Sequence, residues 1–110
     1  MNTLKNNVQL IGNIAFEPEI KNLDGGKKFA SITIVTVEEL LKENGEKAEQ
    51  MFYHKIAAWG KTADYIEKNV IKGQEVAAEG KLTHRSYDDK DGQKRYITEV
   101  VASDLFVLGK

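Results

Sequence analysis

Hydrophobic and polar positions alternate with a period of two over most of this chain, the signature of strands with one buried face. The stretch NVQLIGNI, residues 7–14, sets Val8, Leu10 and Ile14 on one side, with Gly12 as a point where a curved sheet can bend. FASITIVTV, residues 29–37, is β-branched and alternating, and the turn residues LDGGKK at 23–28 predict that it pairs back on the first strand as a hairpin. Residues 38–49, EELLKENGEKAE, carry no sustained apolar period and predict a long polar loop around Asn44-Gly45. Alternation resumes over residues 50–59 as a third strand. Beyond Gly60 the period changes: Ala63, Ile66 and Val70 recur at helical spacing, with Thr62 as a candidate cap and Gly73 where a left-handed helix end would need it. Residues 74–87 and 94–108 read as two long strands around a turn at Asp91-Gly92. The order β-β-β-α-β-β, all-β with one short helix, is that of the five-stranded Greek-key OB-fold barrel, an architecture that often binds oligonucleotides. One domain is expected over residues 1–110.

The third strand poses a chemical question. Phe52, His54, Ile56 and Ala58 form its apolar face, while Tyr53, Lys55, Ala57 and Trp59 line the other. Taken alone, that second face could cover a subunit interface or a second core. The fourth strand repeats the mixture at Lys81, Thr83, Arg85 and Tyr87, however, and two strands presenting cations between aromatics suit single-stranded nucleic acid. Unstacked bases offer π-faces to aromatic rings and phosphates to cations.

Composition complicates this reading and then accommodates it. Sixteen Lys and Arg against seventeen Asp and Glu give a net charge of −1, whereas nucleic-acid binders usually carry a basic excess. The charges are segregated: residues 38–49 hold five glutamates against two lysines, and residues 81–95 hold Lys81, Arg85, Lys90, Lys94 and Arg95 against three aspartates. An acidic segment can therefore mask a locally positive groove. Lys90, Lys94 and Arg95 in the last hairpin are further candidate phosphate contacts. With no cysteine there is no disulfide framework or thiolate site, and no signal-peptide pattern or membrane-length apolar run is present. A cytoplasmic protein without membrane attachment is expected.

Other chemistry fares poorly. His54 lies among apolar neighbours and reads as a structural group. His84 has no carboxylate or second histidine at metal spacing on its strand. Setting Gly92 as the sixth residue of a calcium loop puts Tyr87 and Thr98 at positions that need Asp and Glu, so DDKDG is a hairpin tip. No phosphate-binding loop, nucleophile elbow or dinucleotide fingerprint occurs. Binding is expected in place of catalysis, with no metal and no cofactor.

The segments NNVQLIGNI, EPEI, FASITIVT, FYHKIAAWGK, IKGQEVAAEGKL and YITEVV, in this order and spacing, resemble the bacterial single-stranded DNA-binding proteins from about Asn7 to Val101. The resemblance implies an OB-fold that assembles through its first strand and sheet faces, commonly as a homotetramer, and wraps single-stranded DNA in replication, recombination and repair. It implies base stacking by Tyr53, Trp59 and Tyr87, phosphate contacts by Lys55, Lys61, Lys72 and Arg85, and a subunit contact near His54. Val8 and Leu10 of the first strand join His54 as expected interface residues. Leu40 stands where many members have another stacking aromatic, and Glu43 replaces a frequent cation, so residues 38–49 are expected to contribute less here. Members usually continue into a flexible tail with an acidic tip that recruits replication and repair proteins; this sequence stops at Gly109-Lys110, and such partners are expected only where a tail exists. The rival reading is an OB-fold interaction module of a replication assembly with weak DNA affinity.

Overall fold

The computed structural model describes residues 5–109; residues 1–4 and 110, the ends of the expected domain, lie outside the described residues. The strands are β1 (Val8–Ile14), β2 (Glu19–Asn22), β3 (Lys28–Leu41), β4 (Lys47–Trp59), β5 (Glu75–Asp88) and β6 (Lys94–Gly109), with the helix α1 (Gly60–Asn69) between β4 and β5. They form one sheet in the order β1-β5-β6-β4-β3-β2, and pairing of β1 with β3 closes five of them into a barrel. The predicted architecture is therefore present, with the short β2 added at the edge of β3.

The alternating pattern becomes a core because its inward residues meet at the barrel axis. Ile14, Ile32, Ile34, Ile56, Val76, Val100 and Leu105 are buried there, and α1 covers one end with Ala63 and Ile66. Closure depends on Gly12: a Cβ at this position would collide with the Val35 carbonyl and the Ile34 side chain across the β1–β3 seam. The predicted bend is thus a close backbone approach. Among the described residues, no buried side-chain polar atom lacks a hydrogen-bond partner.

Three local expectations are corrected. The hairpin across residues 23–28 joins β3 to β2, with Ile20 opposite Ala30, whereas β1 meets β3 only at Asn13–Val35 and Ile14–Ile34. Four residues with one inward apolar side chain gave β2 too short an alternation to read. The expected loop at 38–49 is paired ladder, running through Glu38–Gln50 and Glu39–Glu49 to Leu41–Lys47. Its tip is closed by the Lys42 N–H to Glu46 carbonyl bond of 2.8 Å, with Gly45 at φ +85°. This arm extends past the core and has no buried face, so backbone pairing holds it without an apolar period. Finally, α1 starts at Gly60 after Trp59, with no side-chain cap, so Thr62 is not its cap. Gly73 is left-handed at φ +93°, but it lies beyond the helix end and donates its N–H to the Ile14 carbonyl at 2.8 Å.

Candidate nucleic-acid interface

The two outward faces read from the sequence meet because β6 lies between their strands. β4 runs parallel to β6 with Ala57 beside Val101, and β6 pairs antiparallel with β5, setting Val101 opposite Lys81, Glu99 opposite Thr83, Ile97 opposite Arg85 and Arg95 opposite Tyr87. On its other side β4 faces β3, with Phe29 opposite Trp59, Thr33 opposite Lys55 and Val35 opposite Tyr53. Residues paired directly across strands share a face. Tyr53, Lys55, Trp59, Lys81, Arg85 and Tyr87 therefore project from one outer surface of the sheet.

That surface is grooved. A concavity of about 610 Å³ is walled by Trp59, Phe29, Lys21, Lys81 and Arg85. A smaller one of about 150 Å³ shares Lys21, Phe29, Arg85 and Glu99 with it and adds Lys55, Ser31 and Glu19. A third, of about 220 Å³, shares Glu19, Ser31 and Lys55 and reaches Phe16. The shared walls make one continuous trough from Trp59 to Phe16, whose ring stacks on Tyr53 at 6.3 Å and 26°. Trp59, half-exposed, is steadied by Phe29 at 4.6 Å and 56°. Tyr53 and Tyr87 are similarly exposed, 57% and 46%, so all three predicted aromatics keep ring surface open to a flat ligand.

The predicted cations are distributed unevenly. Lys55, Lys81 and Arg85 line the trough. Arg85 is held there by an ion pair: its Nε donates to Glu99 Oε1 at 2.8 Å, and the Glu99 carbonyl also accepts the Thr83 hydroxyl at 3.2 Å. Arg95 shares the Tyr87 face and donates its Nε to Asp89 Oδ2 at 2.8 Å. That bond, then the Gln93 and Asp91 backbone N–H groups, holds the Asp89 carboxyl below its ordinary value. The acidic tip thus organises its own turn, as expected of a hairpin. Lys94 pairs with Asp88, one register step from the Tyr87–Arg95 pair, and so points to the opposite face of the hairpin. Lys61 lies in the first turn of α1, in a separate concavity that also has Trp59 in its wall. Lys72 lies in the turn between α1 and β5, outside the trough.

His54 is half-buried, and its Nε2 is 2.9 Å from the Thr36 hydroxyl. His84 is exposed, with its Nδ1 3.0 Å from the Thr98 hydroxyl. Among the described residues no cluster of three or more His, Cys, Asp or Glu could hold a metal, and no helix is long and apolar enough to cross a membrane. Val8 and Leu10 turn inward and pack on the barrel core, whereas Ile11 is the outward apolar residue of β1, 61% exposed.

Sequence reasoning passed over Phe29, Phe16, Lys21 and Glu99 in the trough. Phe29 had a readable signal: counting back residue by residue from the Lys42–Glu46 turn puts it opposite Trp59. Phe16 and Lys21 had none, because β2 and the segment before it carry no sustained pattern.

Comparison with known proteins identifies the family. Residues 5–108 match the model of the single-strand binding protein family. A single-stranded DNA-binding protein 1 of Chlorobaculum tepidum is 39% identical over 94% of this chain, and another of Xylella fastidiosa is 33% identical over 96%. The matched region spans 65% of the first relative's length and 78% of the second's. Among solved structures, the Plasmodium falciparum SSB in complex with single-stranded DNA aligns over 98% of this chain and 99% of its own, with TM-score 0.87 and 33% identity. A deletion mutant of the Thermus aquaticus single-stranded DNA-binding protein aligns over 94% of this chain and 50% of its own, with TM-score 0.81 and 28% identity. With this match running over nearly all of its length, the chain belongs to the single-strand binding protein family.

Proposed function

We propose that this protein binds and protects single-stranded DNA, largely without regard to sequence and without catalysis, in replication, recombination and repair. The observation that carries the proposal is the register that gathers Tyr53, Lys55, Trp59, Lys81, Arg85 and Tyr87 on one outward face above a continuous trough. Each stacked base contributes roughly 1 to 3 kcal/mol whatever its identity, and each neutralised phosphate adds a salt-dependent increment. Tyr53, Trp59 and Tyr87 stack, with Phe29 and Phe16 buttressing the first two rings. Lys55, Lys81 and Arg85 take phosphates within the trough; Lys61 and Arg95 extend the charge beyond it, and Lys72 and Lys94 lie farther from its axis. The family relatives named for single-stranded DNA binding support this reading.

The protein works in the cytoplasm as a homo-oligomer, a tetramer by resemblance. Two features of the barrel support self-association. Over residues 8–12 one edge of β1 has no partner strand among the described residues, which leaves backbone groups open to pairing. Beside it an apolar row runs through Ile11, Ala77 and Phe106 across β1, β5 and β6. In this arrangement Val8 and Leu10 support the contact from beneath, and His54 fixes β4 through Thr36.

The test is equilibrium binding of labelled oligo-dT at low salt, with duplex DNA as competitor and mass measured by light scattering in the same buffer. Tight, salt-sensitive binding by a multi-protomer species that duplex does not displace is the expected result. Negligible affinity for oligo-dT would favour the interaction-module reading.

A further inference from the structure

Trp59 stands at the end of its strand. Its rung with Phe29 is the last of the β3–β4 ladder at the barrel end, and α1 begins at the next residue, with Gly60 at φ +60° and no side-chain cap. Terminal rungs are the first to open, yet this one carries a stacking ring that leans on Phe29. Lys28, the first residue of β3, lies one step before Phe29 and so on the opposite side of the strand, toward α1. Its Nζ donates to Asp64 Oδ1 at 3.1 Å and to the Glu67 carboxylate, and Asp64 Oδ2 also accepts Lys68 at 3.1 Å. Asp64 and Glu67, three residues apart on α1, share the helix face that meets the lysine. The bridge therefore joins the residue before Phe29 to the helix that follows Trp59, and closes a loop around their rung. Hydrogen bonds to Glu67 first, then Asp64, raise the Lys28 pKa, and those from Lys28 and Lys68 lower that of Asp64, so the bridge is charged at neutral pH. The Lys28 side chain is only 22% exposed, and its charge is already matched by two carboxylates.

We propose that Lys28 is a positioning residue for DNA binding: by tying the start of β3 to α1 it keeps the Phe29–Trp59 rung closed and the Trp59 ring set for a base, without touching the DNA. A ring held in place before binding has less freedom to lose when a base stacks on it. The inference rests on the single-stranded DNA reading above and adds to it a residue that acts through Trp59.

The test compares wild type with the charge-balanced double variant Lys28→Met with Asp64→Asn, with Lys28→Arg, and with a control, Lys68→Met, which leaves the Lys28 bridge intact. Two readouts are taken: acrylamide quenching of Trp59 in the free protein, and oligo-dT affinity over about 50 to 200 mM salt. In the double variant Trp59 should be quenched more readily, and affinity should fall about 2- to 12-fold, the equivalent of ordering one side chain on binding. That loss should be the same at every salt concentration, with the log-log slope parallel to that of wild type, because no phosphate contact has been removed. Lys28→Arg, which can still reach both carboxylates, and the control should both match wild type. A slope shallower by about 0.7 in the double variant would make Lys28 itself a phosphate contact and overturn the proposal. Unchanged quenching and affinity, failure of Lys28→Arg to restore them, or an equal loss in the control would also overturn it. A double variant unfolded in the assay buffer would make the bridge a support of the whole fold and overturn its specific role. Failure of wild type to bind oligo-dT is a separate outcome, independent of Lys28, and overturns the DNA reading itself.

Discussion

The β3–β4 ladder is one continuous run of pairing with two chemically opposite ends. At the barrel end Phe29 faces Trp59 and Thr33 faces Lys55, while the other side of the same strands buries Ile32, Ile34, Ile56 and Ala58. At the arm end Glu39 faces Glu49 and Leu41 faces Lys47, and both sides meet solvent. Pairing alone therefore extends the ladder, but a core beneath it fixes where outward side chains stand. Only the barrel end sets aromatics and cations around a defined trough. The arm carries five glutamates against two lysines, so a net charge of −1 coexists with a cationic outer face at the barrel end.

The comparison breaks most easily at the core. Ile56→Ala should lower folding stability by about 2 to 5 kcal/mol, because Ile56 is only 1% exposed. Met51→Ala, on the same strand but in the arm and 53% exposed, should stay within about 0.5 kcal/mol. Thermal or urea unfolding of the pair measures the difference; equal losses would mean that the arm has a core of its own.

Trp59→Ala comes next. It should weaken oligo-dT binding by about 1 to 3 kcal/mol, while folding loses only the ring contact with Phe29, about 0.5 to 1.5 kcal/mol. A dissociated or largely unfolded variant would show that this face packs against protein.

A smaller effect sharpens the arm. Glu39 and Glu49 sit directly opposite each other, and like charges in that position oppose pairing. Glu49→Lys should stabilise the fold by about 0.2 to 1 kcal/mol in urea unfolding and leave oligo-dT affinity unchanged. A clear rise in affinity would place the arm on the DNA path.

The smallest effect belongs to the other projecting hairpin, β5–β6. Asp89 has a lowered pKa in the folded state, so its contribution is complete above its ordinary value of 3.8 and is lost as pH falls through the folded value. The NMR amide shifts of Asp91 and Gln93, whose N–H groups it accepts at 2.9 Å, should titrate with a midpoint below 3.8. A midpoint at or above that value would remove the Arg95–Asp89 bond from the turn.

The same contrast explains what the sequence disclosed. Where strands cover the core, alternation was legible, and it separated Tyr53, Lys55 and Trp59 from Phe52, His54 and Ile56 without a structure. The arm has no buried face to impose a period, so its pairing left only the Asn44-Gly45 turn as a signal, from which the register that sets Phe29 opposite Trp59 has to be counted. The trough also depends on β6 bringing Glu99 and Val101 between two faces distant in sequence, and on Phe16 reaching Tyr53 from an irregular segment. Such tertiary neighbours leave no local pattern. Glu99, which ties down Arg85, became visible only through that long-range pairing.

The most direct measurement uses Trp59, the only tryptophan of the chain. Its fluorescence, followed as oligo-dT is added, reports a single site at the head of the trough. If bases stack there, the emission should fall saturably with DNA, and the midpoint should move to higher DNA concentration as salt rises. Unchanged emission at DNA concentrations that saturate binding by an independent assay would contradict the central claim that this aromatic and basic face is where the strand lies.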